Sequence, residues 1–253
     1  MIKPTILITN DDGIFSSGIK ALWDAMSELG NVVVVAPNSE QSAVGHAITV
    51  SDPLRVKSVK RANGFNGFSV DGTPSDCVKI AIRALMDQKP DIVVSGINHG
   101  SNTGNNIIYS GTVSAATEGT MMDIPSVAIS LNSFEMTDFS GAKAAAKTVV
   151  LKVLGNKLAK KTLLNVNVPA IPINEIKGIK ITHQGNVGFE DSFEKRVDPR
   201  GSTYYWMTGN MIDPDVEITF DHKAVTEGYV SITPIHYRLT NIDFLDELKN
   251  WEF

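Results

Sequence analysis

The sequence predicts an α/β fold, in which a mostly parallel sheet lies between two layers of helix and a smaller β-rich extension follows. Three observations carry this. Over the first 160 residues, short apolar runs alternate with longer segments of helical spacing. Those runs are continuous Val, Ile and Leu, as in strands buried on both faces, and not the alternating pattern of a half-exposed sheet. Beyond Thr162 the pattern changes to short strands separated by Pro and Gly.

Taken in order, Thr5–Thr9 (TILIT) is a short buried strand. Residues 16–29 follow with Ile19, Leu22, Trp23, Met26 and Leu29 at helical spacing. Residues 31–36 (NVVVVA) form a second strand that ends at Pro37 and opens into the polar loop NSEQSAVGHA. Residues 54–57 and 68–70 flank the turn dipeptides Asn63-Gly64 and Asn66-Gly67, which predicts a hairpin or two edge strands. Thr73-Pro74-Ser75-Asp76 supplies an N-cap, a first-turn proline and an acid, and opens a helix through Met86. Residues 91–95 (DIVVS) are the next strand and run into a loop dense in Gly, Asn and Ser. Helices over 113–122 and 141–154 bracket a strand over 126–129. Such repeated units imply a parallel sheet between helices.

The later strands fall at 163–166, 179–182, 204–207 and 229–233, with the charged segment FEDSFEKRVDPRG between the second and third. Residues 242–253 predict a terminal amphipathic helix through Phe244, Leu245, Leu248 and Trp251, with an apolar stripe suited to the body or to a second subunit. We read 1–160 as the core carrying the site, and 161–253 as an extension of the same domain.

Bulk properties narrow the function classes. The chain has 253 residues, 42% apolar and 20% charged, the make-up of an ordinary soluble globular protein. No window of about 18 uninterrupted apolar residues exists, and MIKPTILITNDDG reads as a strand and not as a signal peptide, so a soluble cytoplasmic protein is expected. The single Cys77 cannot form an internal disulfide and suits the buried face of a helix. A net charge of -5 gives no footprint for a nucleic-acid polymer, so phosphate chemistry here must use a metal or local donors.

In an open parallel sheet, ligands sit beyond the carboxyl ends of the strands. Three loops leave such ends: 10–13, 38–46 and 96–111. The first holds Asp11 and Asp12, adjacent carboxylates in a costly place for charge unless a cation or a hydrogen-bond network neutralises them. The alternative is one helix cap and one solvated acid. The third holds Asn98, His99, Ser101, Asn102, Thr103, Asn105 and Asn106 and ends in Ser110-Gly111-Thr112 at a helix start, which suits a phosphate or is an ordinary N-cap. The second offers Ser39, Gln41, Ser42 and His46. Oxygen donors favour Mg²⁺, Mn²⁺ or Ca²⁺ over Zn²⁺, and the five histidines show no HxH or HExxH spacing. P-loop, GxGxxG and GxSxG motifs are absent, as is the D-x-D of phosphatases that form an aspartyl-phosphate. The residues alone reach a metal-assisted site for an anionic, phosphorylated ligand.

At these loops the chain resembles the SurE family, the survival protein E nucleotidases. The matching segments are ILITNDDGIFSSGIKAL, VVAPNSEQSAVGHAIT, DGTPSDCVKIA, SGINHGSNTGNNIIYSGTVSAATEG and EGYVSITP, nearly the whole chain. The resemblance implies a Rossmann-like, SurE-like sheet and one divalent metal per subunit, Mg²⁺ or Mn²⁺ with Ca²⁺ also able to occupy the site. Asp11, Asp12, Ser42 and Asn98 match its ligands, and Asn102 with Ser110, Gly111 and Thr112 its phosphate contacts. It implies hydrolysis of nucleoside 5′- and 3′-monophosphates, with short polyphosphate in some members, and a homodimer or homotetramer through exchanged C-terminal segments. Asn105 and Asn106 depart from the acidic residues many members carry there, which alters the loop's charge and bears on substrate preference. For mechanism we expect Asp11 to act as the base, with Asn102 and Ser110 holding the phosphate. A non-catalytic, metal-dependent nucleotide-binding protein is the alternative.

Overall fold

The computed structural model describes residues 3–252. In chain order it runs β1 (Thr5–Thr9), α1 (Ser17–Ser27), β2 (Asn31–Pro37), β3 (Val56–Lys60), β4 (Asn66–Val70), α2 (Pro74–Ile80), β5 (Ile92–His99), α3 (Gly111–Met121), β6 (Ser126–Leu131), α4 (Ser140–Gly155) and β7 (Thr162–Val168). Then come β8 (Ile179–Ile181), β9 (Gly188–Val197), β10 (Thr203–Ile212), α5 (Asp221–Thr226), β11 (Val230–His236) and α6 (Ile242–Leu248). One sheet takes nine strands in the order β3-β4-β2-β1-β5-β6-β7-β11-β8, while β9 and β10 form a separate two-stranded ribbon.

The central strands β2, β1, β5, β6 and β7 are parallel neighbours, as their apolar runs predict. Successive side chains of β1 leave opposite faces of the sheet. Ile6 and Ile8 join a core under α1 and α4, and Leu7 joins a second core under α2 and α3 with Cys77 and Ala115. That division makes the three layers. Cys77 is free and buried, on the helix face expected of it.

The helix starts follow their sequence signals. Thr73 Oγ1 accepts from the Asp76 N–H at 3.1 Å while Asp76 Oδ2 accepts from the Thr73 N–H at 3.0 Å, a reciprocal capping box with Pro74 at the first turn. Past Ile80 the chain continues as one wider π turn, residues 81–85, so the helical path ends at Met86. The hairpin is formed by β3 and β4, antiparallel, with Lys57 opposite Ser69.

The sheet does not stop at residue 160, because β7, β11 and β8 extend it. The structure corrects two readings of local structure. The charged segment around Phe189 is itself a strand, β9, paired residue by residue with β10: Phe193 faces Met207 and Phe189 faces Met211. Its apolar residues Phe189, Phe193 and Val197 recur every fourth position among charges because the ribbon is solvated, and cross-strand Phe–Met pairs hold it. The terminal helix ends at Leu248, where Asn250 and Trp251 turn back to the Glu247 and Leu248 carbonyls; Asn favours such turns over helix interiors. Phe253 lies outside the described residues. Among the described residues no helix is long and apolar enough to cross a membrane.

Candidate active site

The order β2-β1-β5 puts β1 between two parallel strands that the chain reaches in opposite directions, so a crevice opens at the end of β1. The turn there is pinned from inside. Asn10, fully buried, donates from Nδ2 to the Gly13 carbonyl at 3.0 Å and to Ser16 Oγ at 2.9 Å, and Ser16 caps α1. Gly13 lies at φ +91°, in the left-handed region that lets the chain reverse directly after the two acids.

The cleft beyond this turn has a volume of about 480 Å³. Asp11, Asp12, Ser42 and Asn98 all line it, so the four residues matched to metal ligands meet there from three strand ends. Asn98 and Ser42 each point a hydrogen-bond donor elsewhere. Asn98 Nδ2 donates to the Gly100 carbonyl at 2.8 Å, which leaves Oδ1 as its acceptor. Ser42 Oγ donates to Glu40 Oε1 in a short contact, which leaves its lone pairs. Asp12 Oδ2 is buried and has no hydrogen-bond partner. The Nδ1 atom of His99 stands 3.6 Å from it, too far for a hydrogen bond.

Asp11 is 7% exposed and is fixed by Thr112, whose N–H donates to Oδ2 at 3.1 Å and whose hydroxyl donates to Oδ1. Burial pushes the Asp11 carboxyl up to about 6, against the Thr112 bonds and with help from the neighbouring Asp12 charge. Burial also raises Asp12, offset in part by His99. Two buried acids held above their ordinary range are a cost that a cation would remove. Among the described residues no three or more His, Cys, Asp or Glu side chains gather as a ligand group. Two carboxylates with one amide and one hydroxyl oxygen are the donor set of a hard cation.

The Ser110-Gly111-Thr112 turn divides its roles. Ser110 lines the cleft and caps α3, its Oγ accepting from the Val113 N–H at 3.1 Å. Thr112 turns both donors to Asp11 and does not line the cleft. Gly111 serves close approach: a Cβ there would lie 2.8 Å from Asp11 Cβ and 2.9 Å from its Oδ2. Asn102 lines the cleft, with Nδ2 donating to Ser130 Oγ at 2.8 Å. Asn106 also lines it and adds no charge, whereas the Asn105 N–H pairs with the Val187 carbonyl.

Sequence reasoning did not single out the aromatic wall. Tyr109, Phe134 and Phe189 line the same cleft and are exposed, Phe134 by 84%. Tyr109 is next to the capping serine and could have been suspected. Phe189 could not, because only the ribbon brings it to the cleft.

A protein-family model described as Survival protein SurE matches residues 6–191. The chain is 49% identical to the 5′-nucleotidase SurE of Syntrophobacter fumaroxidans, over 97% of this chain and 98% of that one. It is 48% identical to the 5′-nucleotidase SurE of Natranaerobius thermophilus, over 98% of each. The crystal structure of the SurE protein from Aquifex aeolicus is similar with a TM-score of 0.84 and 44% identity, covering 97% of this chain and 98% of that one. The acids at the end of β1, the loops that converge on them and these matches agree: the chain belongs to the SurE family.

Proposed function

We propose that the chain is a 5′-nucleotidase that hydrolyses nucleoside 5′-monophosphates to nucleoside and phosphate with the help of a divalent cation. The observation that carries this is Asp12 Oδ2, a buried carboxylate oxygen without a hydrogen bond, in a cleft it shares with Asp11, Ser42, Asn98 and Ser110. The relatives that bear the name 5′-nucleotidase SurE supply the reaction class.

Asp11, Asp12, Ser42 and Asn98 would hold the cation, with Mg²⁺ or Mn²⁺ as the favoured occupant and Ca²⁺ as a further one. A divalent cation bound there supplies Lewis acidity toward the phosphoryl group. Asp11, whose carboxylate Thr112 fixes at the cleft, accepts the proton of the attacking water. The Ser110 oxygen already accepts from Val113, so its proton is available to a phosphoryl oxygen. Asn102 contributes its amide. Ser130 Oγ can accept or donate, so a turn of that amide presents Nδ2 to the phosphate while Ser130 donates to Oδ1. Thr112 gives both its donors to Asp11, and Gly111 at the start of α3 stands with Ser110 as the phosphate-contacting part of the turn.

Tyr109, Phe134 and Phe189 offer π faces to a nucleobase, and stacking accepts every base. The polar contacts gather on the phosphate, so we include 3′-monophosphates and short polyphosphate as substrates. The exposed apolar residues of α6 and the ribbon, among them Phe244, Leu245, Phe193 and Trp206, support assembly into a homodimer or homotetramer through the C-terminal segments.

The test is release of inorganic phosphate from AMP with Mn²⁺ added, its loss with a chelator and its return with excess Mn²⁺. AMP binding without phosphate release would mark a nucleotide sensor and overturn the catalytic reading.

A further inference from the structure

Asn102 is gripped by four hydrogen bonds, all from side chains of the strands behind the cleft. Its N–H donates to Asn167 Oδ1 at 2.7 Å, and its carbonyl accepts from Asn165 Nδ2 at 2.7 Å and from Asn167 Nδ2 at 3.1 Å. The fourth is the bond from its own Nδ2 to Ser130 Oγ. Asn167 thus takes both backbone groups of one residue, as a neighbouring strand would, and fixes the turn of that peptide as well as its place.

Asn165 and Asn167 are fully buried and two residues apart on β7, so they leave the same face of the sheet. Two amides at the centre of an apolar strand, TLLNVNV, are costly to desolvate. A loop's backbone groups can be satisfied more cheaply, by other backbone. Here both amides converge on Asn102, a loop residue that lines the cleft.

We propose that Asn165 and Asn167 are positioning residues for the hydrolysis, holding Asn102 where its amide meets the phosphate. This rests on the reading that Asn102 contacts the phosphate, and the test separates the two. Steady-state AMP hydrolysis with Mn²⁺ is measured for the full chain, for Asn102→Ala, for Asn167→Ala and for the double variant. Asn167→Ala is expected to lower kcat by about tenfold or more with KM within about threefold, since small displacements of a reacting group cost that much. The double variant is expected to turn over like Asn102→Ala alone, because Asn167 acts through a side chain already removed. Asn165→Ala, which deletes one bond to the same carbonyl, carries the same cycle should Asn167→Ala fold poorly.

A structural role alone would lower Tm and leave the kcat of the folded enzyme unchanged, and that result overturns the proposal. So does strict additivity in the double variant, or failure of both variants to fold. Should Asn102→Ala itself hydrolyse AMP normally, the reading of Asn102 falls first and the proposal with it.

Discussion

The Thr112 N–H donates to Asp11 Oδ2 at 3.1 Å and the Thr112 hydroxyl donates to Oδ1, so one residue at the start of α3 occupies a lone pair on each oxygen of a buried carboxylate. These bonds oppose the burial that raises Asp11. Thr112→Val keeps the shape and removes the hydroxyl. A hydrogen bond to a charged group contributes about 1.5–3 kcal/mol, so the acidic limb of the kcat/KM profile should move to higher pH by about one unit or more. The pH–rate profile checks this, and an unmoved limb would separate Thr112 from Asp11's ionisation.

As a ligand of the proposed cation, Asp11 would also set how binding responds to pH. Its folded value lies above the ordinary carboxylate value of 3.8, at about 6, so between these the folded chain holds a proton that the unfolded chain has lost. Ionising Asp11 without a cation therefore costs stability as pH rises through that window, on the order of 3 kcal/mol in full. A cation must displace the same proton. Mn²⁺ affinity measured by titration calorimetry should weaken by about tenfold per pH unit below about 6 and level off above it. Asp11→Asn should lose most turnover while its chelator-treated form at pH 8 melts no lower than the unsubstituted chain.

Gly111→Ala tests the close approach of α3 to Asp11. The added methyl would lie 2.8 Å from Asp11 Cβ, inside any real contact, so the helix start or the carboxylate must shift. We expect turnover to fall by about a hundredfold with native circular dichroism, the scale of loss that a displacement of about 1 Å produces. Near-normal turnover would mean that the pair tolerates separation.

Phe134→Ala probes the aromatic wall. Stacking of a base on an aromatic ring is worth about 1–3 kcal/mol, so KM for AMP should rise by about fivefold or more. A small phosphomonoester without an aromatic ring, such as glycerol 2-phosphate, should keep its KM. Equal losses on both substrates would remove Phe134 from base recognition.

How much was legible in the sequence follows from how local each signal is. The parallel sheet was readable because Val and Ile runs such as NVVVVA cannot be half-solvated strands, and the capping box at Thr73 sits within four residues. The meeting of Asp11, Asp12, Ser42 and Asn98 was readable as three strand ends joined by the family resemblance. The partner of Asp11 was not, because Thr112 is 101 residues away and a helix-start threonine looks the same whether it faces ligand or acid. Phe189 was hidden because the runs of charge along FEDSFEKRV obscure a strand until the facing strand supplies Met207 and Met211. Asn165 and Asn167 were hidden as polar interruptions of an apolar strand, whose purpose lies in a loop 65 residues away from the second.

The position of β1 between β2 and β5 also dictates when the site can come into being. Asp11 and Asp12 precede all their partners in the chain, since their strand pairs at Asn31 and Ile92 and Asp11 pairs with Thr112. Pairings of such sequence separation form late, after their loops have closed. A nascent chain therefore cannot assemble the proposed cation site until Thr112 has emerged, and a cation held there would act as a lock on the finished sheet and not as a seed for its folding.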